Sequence, residues 1–433
     1  MNGTSPAAQV AAVAHALRAL PIEGLDDADR IDAIRQLEEL RGAVAAAQAR
    51  LTAAFVASQR AEQARAGVAA DRIGRGVTAQ VALARRISPY AANRYAGWAT
   101  ILTTELPRTF AQLAAGRTSE WRATLVARET AWLSRQHREQ VDAELAPRLA
   151  GLGDRRTECE VRAAAYRLDP HGYVDRLRQA EADRHVSLRP APDMMTRLSA
   201  VLPLTQGVAV RAALAQAAGM ARAAGDPRTL QQVMADTLVE RCTGQASADA
   251  VAVEVQLVVP AAALVNAKDD PDRDAPAHLQ DYGPVPAEVV RSLLRERPAS
   301  AATWLRRLFA GPTGELVAME SHRRTFTAAQ RRFVTARDQY CRTPWCEALI
   351  RHVDHVHPHK LGGRTSLANA DGLCEACNYA KQAPGWSAHT EGDGLSPDIV
   401  TRTPTGHRYR SRAPVLFRPA RPITVDRLTH RAA

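Results

Sequence analysis

The sequence predicts a mainly α protein: a helical N-terminal domain with a small β element, followed by a short cysteine-clipped module near the C-terminus. Three observations lead there. Apolar residues recur at three- and four-residue steps in the N-terminal half, the period of helices that bury one face. Alternation of Val251, Val253, Val255, Leu257 and Val259 with their neighbours is strand character. Four of the six cysteines fall in two pairs, Cys341/Cys346 and Cys374/Cys377. At 433 residues the chain is too long for one ordinary core. It divides into a helical domain at 1–245, an α/β connecting region at 246–326, the cysteine module at 327–390 and a basic tail at 391–433.

Taken in order, Ile31, Ile34, Leu37, Leu40, Val44, Leu51 and Phe55 mark a long amphipathic helix to about Ala66, with that stripe expected inside. Gly74 and Gly76 break it, and Thr78 opens a short helix through Ala84. Ser88-Pro89 is a cap followed by a first-turn proline. Leu106-Pro107 starts the next helix, and Gly116 ends it. Ser119 and Ser134 cap two more. The Leu106–Glu129 outline suits a helix-turn-helix DNA reader and equally a plain helical bundle. Trp121 and Trp132 read as core anchors, and the isolated Cys159 and Cys242 as small buried residues. The helical period weakens around Gln179–Arg189 and resumes from about Met194 to Cys242, with a break at Gly225-Asp226-Pro227.

Beyond the alternating strand, Val265–His278 reads as an acidic, proline-bearing loop and Val285–Arg295 as a helix. Trp304–Phe309 and Glu315–Met319 flank a Gly-Pro-Thr-Gly turn and read as a hairpin. Thr327 and Gln330 match a capping box that opens a basic helix. A short hairpin is expected near Asp398–Arg410, with a frayed end after it.

Apolar content of 46% and charged content of 24% belong to a folded protein, and no apolar run approaches the ~18 residues of a membrane span. Without a basic leader at the N-terminus, the protein is expected in the cytoplasm, where paired cysteines are metal ligands more often than disulfides. The net charge of +11 is unevenly spread: residues 321–433 hold 18 basic and 9 acidic residues, against 39 and 37 in residues 1–320. A polyanionic partner would meet the cysteine module first.

C-x4-C and C-x2-C pairs of soft thiolates suit tetrahedral zinc with Cys341, Cys346, Cys374 and Cys377 filling all four positions. Such a closed site leaves no place for water, so the zinc is structural, and contributes ~10–16 kcal/mol of apparent binding energy to folding a segment with few apolar residues. Between the pairs stands Asp354-His355-Val356-His357-Pro358-His359-Lys360-Leu361-Gly362-Gly363. A purely structural knuckle has no use for that Asp-His step. Hydrolysis of a phosphodiester does, because it needs an activated water, a cation to offset charge, and a positioned base. His355 can be the base, since imidazole titrates near neutral pH. Asp354 can hold a hard cation such as Mg2+. Gly362-Gly363 permits a tight reversal, Asn369 can bridge the loop through its amide, and Asn378 can offer an amide oxygen as a second metal ligand.

D-H-x-x-P-x-x-x-G-G, then Asn369, then L-C-x-x-C-N-x-x-K ending at Lys381 resembles the HNH endonuclease motif of the ββα-metal nucleases, in the subgroup that carries zinc on four cysteines. The resemblance implies a C-terminal zinc-stapled ββα-metal (HNH) module. It implies a DNA endonuclease with His355 as general base, Asp354 and Asn378 as ligands of a catalytic divalent ion, and Asn369 as the loop-orienting residue. Asn378 stands where the motif's name expects histidine, and asparagine is a weaker ligand. Upstream, the ILTTELPRTFAQLAAGRTSEWRATLVARE and VAVEVQLVVP stretches are similar to domain of unknown function 222, which brings no function with it.

The alternative readings are a non-catalytic zinc-containing nucleic-acid-binding protein and a protein-interaction module with incidental charge. The Asp354-His355 pair favours the nuclease. His352, His357 and His359 lie close enough to assist. Arg342, Arg351, Arg364 and Lys381 either face phosphate or are solvated.

Overall fold

Helix ends fall largely where side chains can cap them. In a computed structural model, which describes residues 5–248, 257–258, 273–279, 283–295, 325–392 and 397–416, α1 spans Pro6–Arg18, α2 Asp27–Arg65, α3 Val77–Arg85 and α4 Pro89–Thr104. Helices α5 (Pro107–Ala114), α6 (Glu120–Thr130), α7 (Arg135–Leu145), α8 (Asp154–Leu168) and α9 (Pro170–Ala182) follow. Ser88, Ser119 and Ser134 each accept a backbone N–H of the next helix at 3.2 Å, as their positions suggest. The α5 start has no local cap. Asp142, on α7, accepts from Arg108 N and Thr109 N at 2.7 and 2.8 Å instead. The chain is mainly helical with only small sheets, and among the described residues no helix is long and apolar enough to cross a membrane.

Two compact units emerge, one from residues 1–62 with 94–176, the other from 63–93 with 177–433. The first is a helical bundle around Leu102, Leu106, Leu113, Val126, Val141, Leu145 and Val161. Its α2 is the long helix expected, but the buried face is not. Gly42, Ala45, Ala46 and Ala49 point inward, while Ile31, Ile34, Val44 and Leu51 are exposed. Small residues win because Gly42 meets the backbone of Gly116, where a Cβ would lie 2.9 Å from its Cα. Helix α6 is buried from Ala123 to Ala127 and again at Glu129 and Thr130, which is bundle packing. Trp132 packs on the core, but Trp121 is 49% exposed, and Cys159 is exposed as well. Glu129 is only 2% exposed and gathers Arg128, Arg162 and Arg176 at 2.9–3.4 Å. Burial pushes its carboxyl up, but Arg176, Arg128 and Arg162 together outweigh burial and hold it below the ordinary value.

The second unit contains β1 (His185–Pro190) and β2 (Thr196–Val201), an antiparallel pair with His185 opposite Val201. Helix was expected from Met194 onward. Pro190 and Pro192 prevent it, and the chain reverses through Asp193 and Met194 at positive φ, so helix resumes only at Leu204. Helices α10 (Leu204–Ala223) and α11 (Leu230–Thr243) pack together across the Gly225–Pro227 break, and Cys242 on α11 is exposed. A small sheet joins β3 (Leu257–Val258), β4 (Ala277–Leu279) and β5 (Gly283–Val285) before α12 (Ala287–Arg295). The remainder of the alternating strand, most of the acidic loop, the hairpin at Trp304–Met319 and the tail after Leu416 lie outside the described residues.

The Thr327–Gln330 capping box opens α13 (Ala328–Asp338). β6 (His352–His355), β7 (Ala370–Leu373) and α14 (Glu375–Lys381) then form a ββα unit. A three-stranded sheet of β8 (Ser387–Glu391), β9 (Asp398–Arg402) and β10 (Arg408–Ser411) follows, its last two strands being the hairpin expected there. Helix α3 packs on α14: Gly76, at φ +77, sits where a Cβ would lie 2.7 Å from Trp386 Nε1.

Candidate active site and metal centre

The four cysteines come together although 28 residues of chain separate Cys346 from Cys374. Their Sγ atoms all lie within 4.8 Å of one another, and Cys346 is 3.6 Å from both Cys374 and Cys377. A tetrahedron with ~2.3 Å zinc–sulfur bonds has edges of about 3.8 Å, so the cluster fits structural zinc. All four side chains are buried. Cys374 caps α14, its Sγ accepting from Cys377 N at 3.4 Å. Hydrogen bonds from Cys341, Cys346 and Cys377 hold the Cys374 thiol far below its ordinary value, and Cys377 is pushed up in return. The turn between Cys341 and Cys346 is tight: Trp345 and Glu347, on either side of Cys346, both have positive φ.

Antiparallel pairing of β6 with β7 sets Asp354 opposite Asp371 and His355 opposite Ala370. His355 is 8% exposed. One face of its ring lies against Phe326, with centroids 4.6 Å apart. Its Nε2 is 2.9 Å from Thr365 Oγ1, and Nδ1 faces Asp354 Oδ1 at 3.9 Å. One ring nitrogen is thus engaged by the Thr365 hydroxyl, and the other is the one on the Asp354 side. Burial lowers the imidazole's pKa, opposed by Asp354 and reinforced by His359 and Lys381, which favours the uncharged ring.

Asn369 ties the intervening loop across its base. Its Oδ1 accepts from His357 N at 2.8 Å, and its Nδ2 donates to the His357 and Arg364 carbonyls at 3.0 and 2.8 Å. Gly362 takes φ +93. Gly363 is needed for a different reason: a Cβ there would lie 1.9 Å from the His357 carbonyl oxygen. Asn378, in the middle of α14, is buried, and its Oδ1 has no hydrogen-bond partner among the described residues. A buried carboxamide oxygen without a partner among the described residues is chemically suited to a hard cation, as is the part-exposed Asp354 carboxylate.

A family model for a domain of unknown function, DUF222, matches residues 32–338, well over half of the sequence. The chain belongs to the DUF222 family. In this DUF222 chain, residues 339–383 match the HNH endonuclease model, which suggests a nuclease-type function at the level of the family. No curated protein and no solved structure is significantly similar to it.

Three surrounding groups differ from the sequence reading. Lys381 is 13% exposed and Arg342 is buried, so neither is solvated or free to face phosphate. Lys381 Nζ donates to the His355 carbonyl at 2.6 Å and to Asp371 at 3.1 Å. Arg342 pairs with Asp338 at 3.0 Å and donates to the Pro397 and Ser411 carbonyls. His357 spends Nε2 on the Leu361 carbonyl, whereas the ring of His359 packs on His355, with centroids 5.5 Å apart. Arg351 and Arg364 are exposed. Sequence reasoning missed Thr365, Phe326 and Asp371. Only Asp371 left a signal, because a strand ending at Leu373 that pairs with Val353–His355 brings it opposite Asp354.

Proposed function

We propose that this chain is a metal-dependent DNA endonuclease that hydrolyses phosphodiester bonds at the His355 site. The observation that carries the reading is the placement of His355: buried, hydrogen-bonded through one ring nitrogen, with the other turned to Asp354. An imidazole so placed can take a proton from an attacking water. Asn369 keeps the loop after β6 closed and so fixes the ring's position. Asp354 and Asn378 would hold a divalent cation such as Mg2+, which when bound offsets charge on the phosphate and the leaving oxygen. Cys341, Cys346, Cys374 and Cys377 would hold zinc that staples β7 and α14 to the preceding turn and takes no part in the reaction. The basic surplus of residues 321–433 supports DNA as the partner, and thiols kept for zinc suit the cytoplasm.

The test is plasmid nicking by wild type and His355→Ala in Mg2+, Mn2+ or chelator. The variant is expected to keep its zinc and fold and to cut ~10²–10⁴-fold more slowly, the usual contribution of a general base. Equal nicking by both proteins would remove His355 from that role.

A further inference from the structure

The pairing of Asp354 with Asp371 sends both carboxylates off the same face of the β6–β7 ribbon. Lys381 follows Asn378 by three residues, so the two share a face of α14. Its ammonium reaches between the carboxylates. Nζ lies 3.1 Å from Asp371 Oδ1, 3.4 Å from Asp354 Oδ2 and 2.6 Å from the His355 carbonyl oxygen. The ammonium donates to the His355 carbonyl and to both Asp371 oxygens, and Asp354 is held as an ion pair beside them. Two carboxylates and a carbonyl are also the donor set that a hard divalent cation prefers. The Asp371 side chain is 4% exposed, which keeps its charge from water and anchors the ammonium where it is.

We infer that Lys381 is a resident counter-ion that competes with the divalent cation for Asp354 and thereby sets how loosely that cation is held. This rests on the nuclease reading, with Asp354 as a ligand. Lys381 is a positioning residue in this scheme and touches no substrate. While the ammonium holds Asp354, the strand keeps its geometry without an added ion. An incoming cation takes Asp354, and the ammonium retains Asp371 and the His355 carbonyl, so no buried charge is left alone.

The experiment measures Mn2+ affinity of the zinc-loaded full chain by electron paramagnetic resonance of free Mn2+. Lys381→Met removes the competitor at nearly constant length, and the dissociation constant is expected to fall about tenfold, the order of effect of removing one competing charge from a part-buried carboxylate. Because Lys381→Met strands Asp371, the double variant Lys381→Met/Asp371→Asn is measured beside it. That variant keeps the site's net charge but leaves Asp354 unengaged, and it too is expected to bind Mn2+ more tightly than wild type. Unchanged or weaker binding by the folded double variant overturns the inference, as does tightening confined to the single variant, which would report net charge alone. Absence of Mn2+ binding in all three proteins overturns it together with the nuclease reading. Equal binding in all three overturns it alone.

Discussion

At the scale of single residues, the loop between β6 and β7 is closed by one amide whose orientation is dictated by its partners. Asn369 accepts from one N–H and donates to two carbonyls, so the oxygen and nitrogen of its side chain are not interchangeable. Asn369→Ala removes three hydrogen bonds and is expected to cost ~1–3 kcal/mol, read by thermal unfolding of the zinc-loaded protein. Asn369→Asp is expected to be at least as damaging, since it turns a carboxylate oxygen toward two carbonyls. A milder Asp variant would show that the Nδ2 bonds contribute little. Gly363→Ala has no such flexible partner to displace. The His357 carbonyl is backbone, and the loop must move by more than an ångström to admit the methyl. Destabilisation of ~1–3 kcal/mol with a matching loss of nicking is expected. These placements were partly legible beforehand. Asp354, His355 and Asn369 stand at fixed offsets, and short loops carry such offsets into space with little freedom. Phe326 and Thr365 were not legible, because any apolar ring and any hydroxyl would read alike, and only packing selects them.

Among the elements, caps were the most readable features and faces the least. Ser88, Ser119, Ser134 and the Thr327–Gln330 box act locally, so three or four residues suffice to identify them. The buried face of α2 depends on what crosses it. A backbone approach at Gly116 selects Gly42 and alanines over isoleucine and leucine, and nothing within α2 announces that. Glu129 shows the same limit in electrostatic form. A lone carboxylate on α6 becomes the centre of three guanidinium groups from three helices. Its folded-state pKa is depressed, so its stabilisation is present above the unfolded carboxyl's ordinary ~4.3 and is lost as pH falls through the lower folded value. Glu129→Gln is expected to lower stability by ~1–3 kcal/mol at neutral pH, less than for a fully buried pair because Arg128, Arg162 and Arg176 are each part-exposed. It should also flatten the decline in unfolding free energy below pH ~4. Denaturant titrations at pH 7 and pH 3.5 check both, and an unchanged slope would mean that the three arginines gain nothing from the charge.

For the whole molecule, the unit that folds and the segments that sequence families delimit do not coincide. The DUF222 match ends at residue 338 and the HNH match begins at 339. That boundary cuts through a buried ion network. Arg337 donates to the Leu367 and Ala370 carbonyls, and Asp338 accepts from Gly372 N, so the last turn of α13 anchors β7. Asp338 also holds Arg342, which reaches the Pro397 and Ser411 carbonyls at the C-terminal sheet. Leu416 joins Phe326, Phe333, Val334, Leu367 and Ala370 in one apolar cluster. From further upstream, Gln80 on α3 accepts from the Thr405 hydroxyl at 2.8 Å, and Gly76 closes on Trp386. A ββα element with its four-cysteine cluster therefore draws its support from residues before, within and after the HNH match. A fragment beginning at residue 339 would keep all four cysteines and the whole Asp354–Lys381 stretch, yet lose the carboxylate that holds Arg342 and the guanidinium that ties β7. Removing one side of a buried pair is commonly worth ~3–5 kcal/mol, comparable to the stability of a small domain. Such a fragment is expected to bind zinc but to melt without a cooperative transition and to surrender the metal to a mild chelator faster than the full chain does. In the intact chain, Asp338→Asn should reproduce part of that loss while leaving the cysteines untouched. Cooperative unfolding of the 339–433 fragment at the full chain's midpoint would mean instead that zinc alone organises the unit and that the ion network is dispensable.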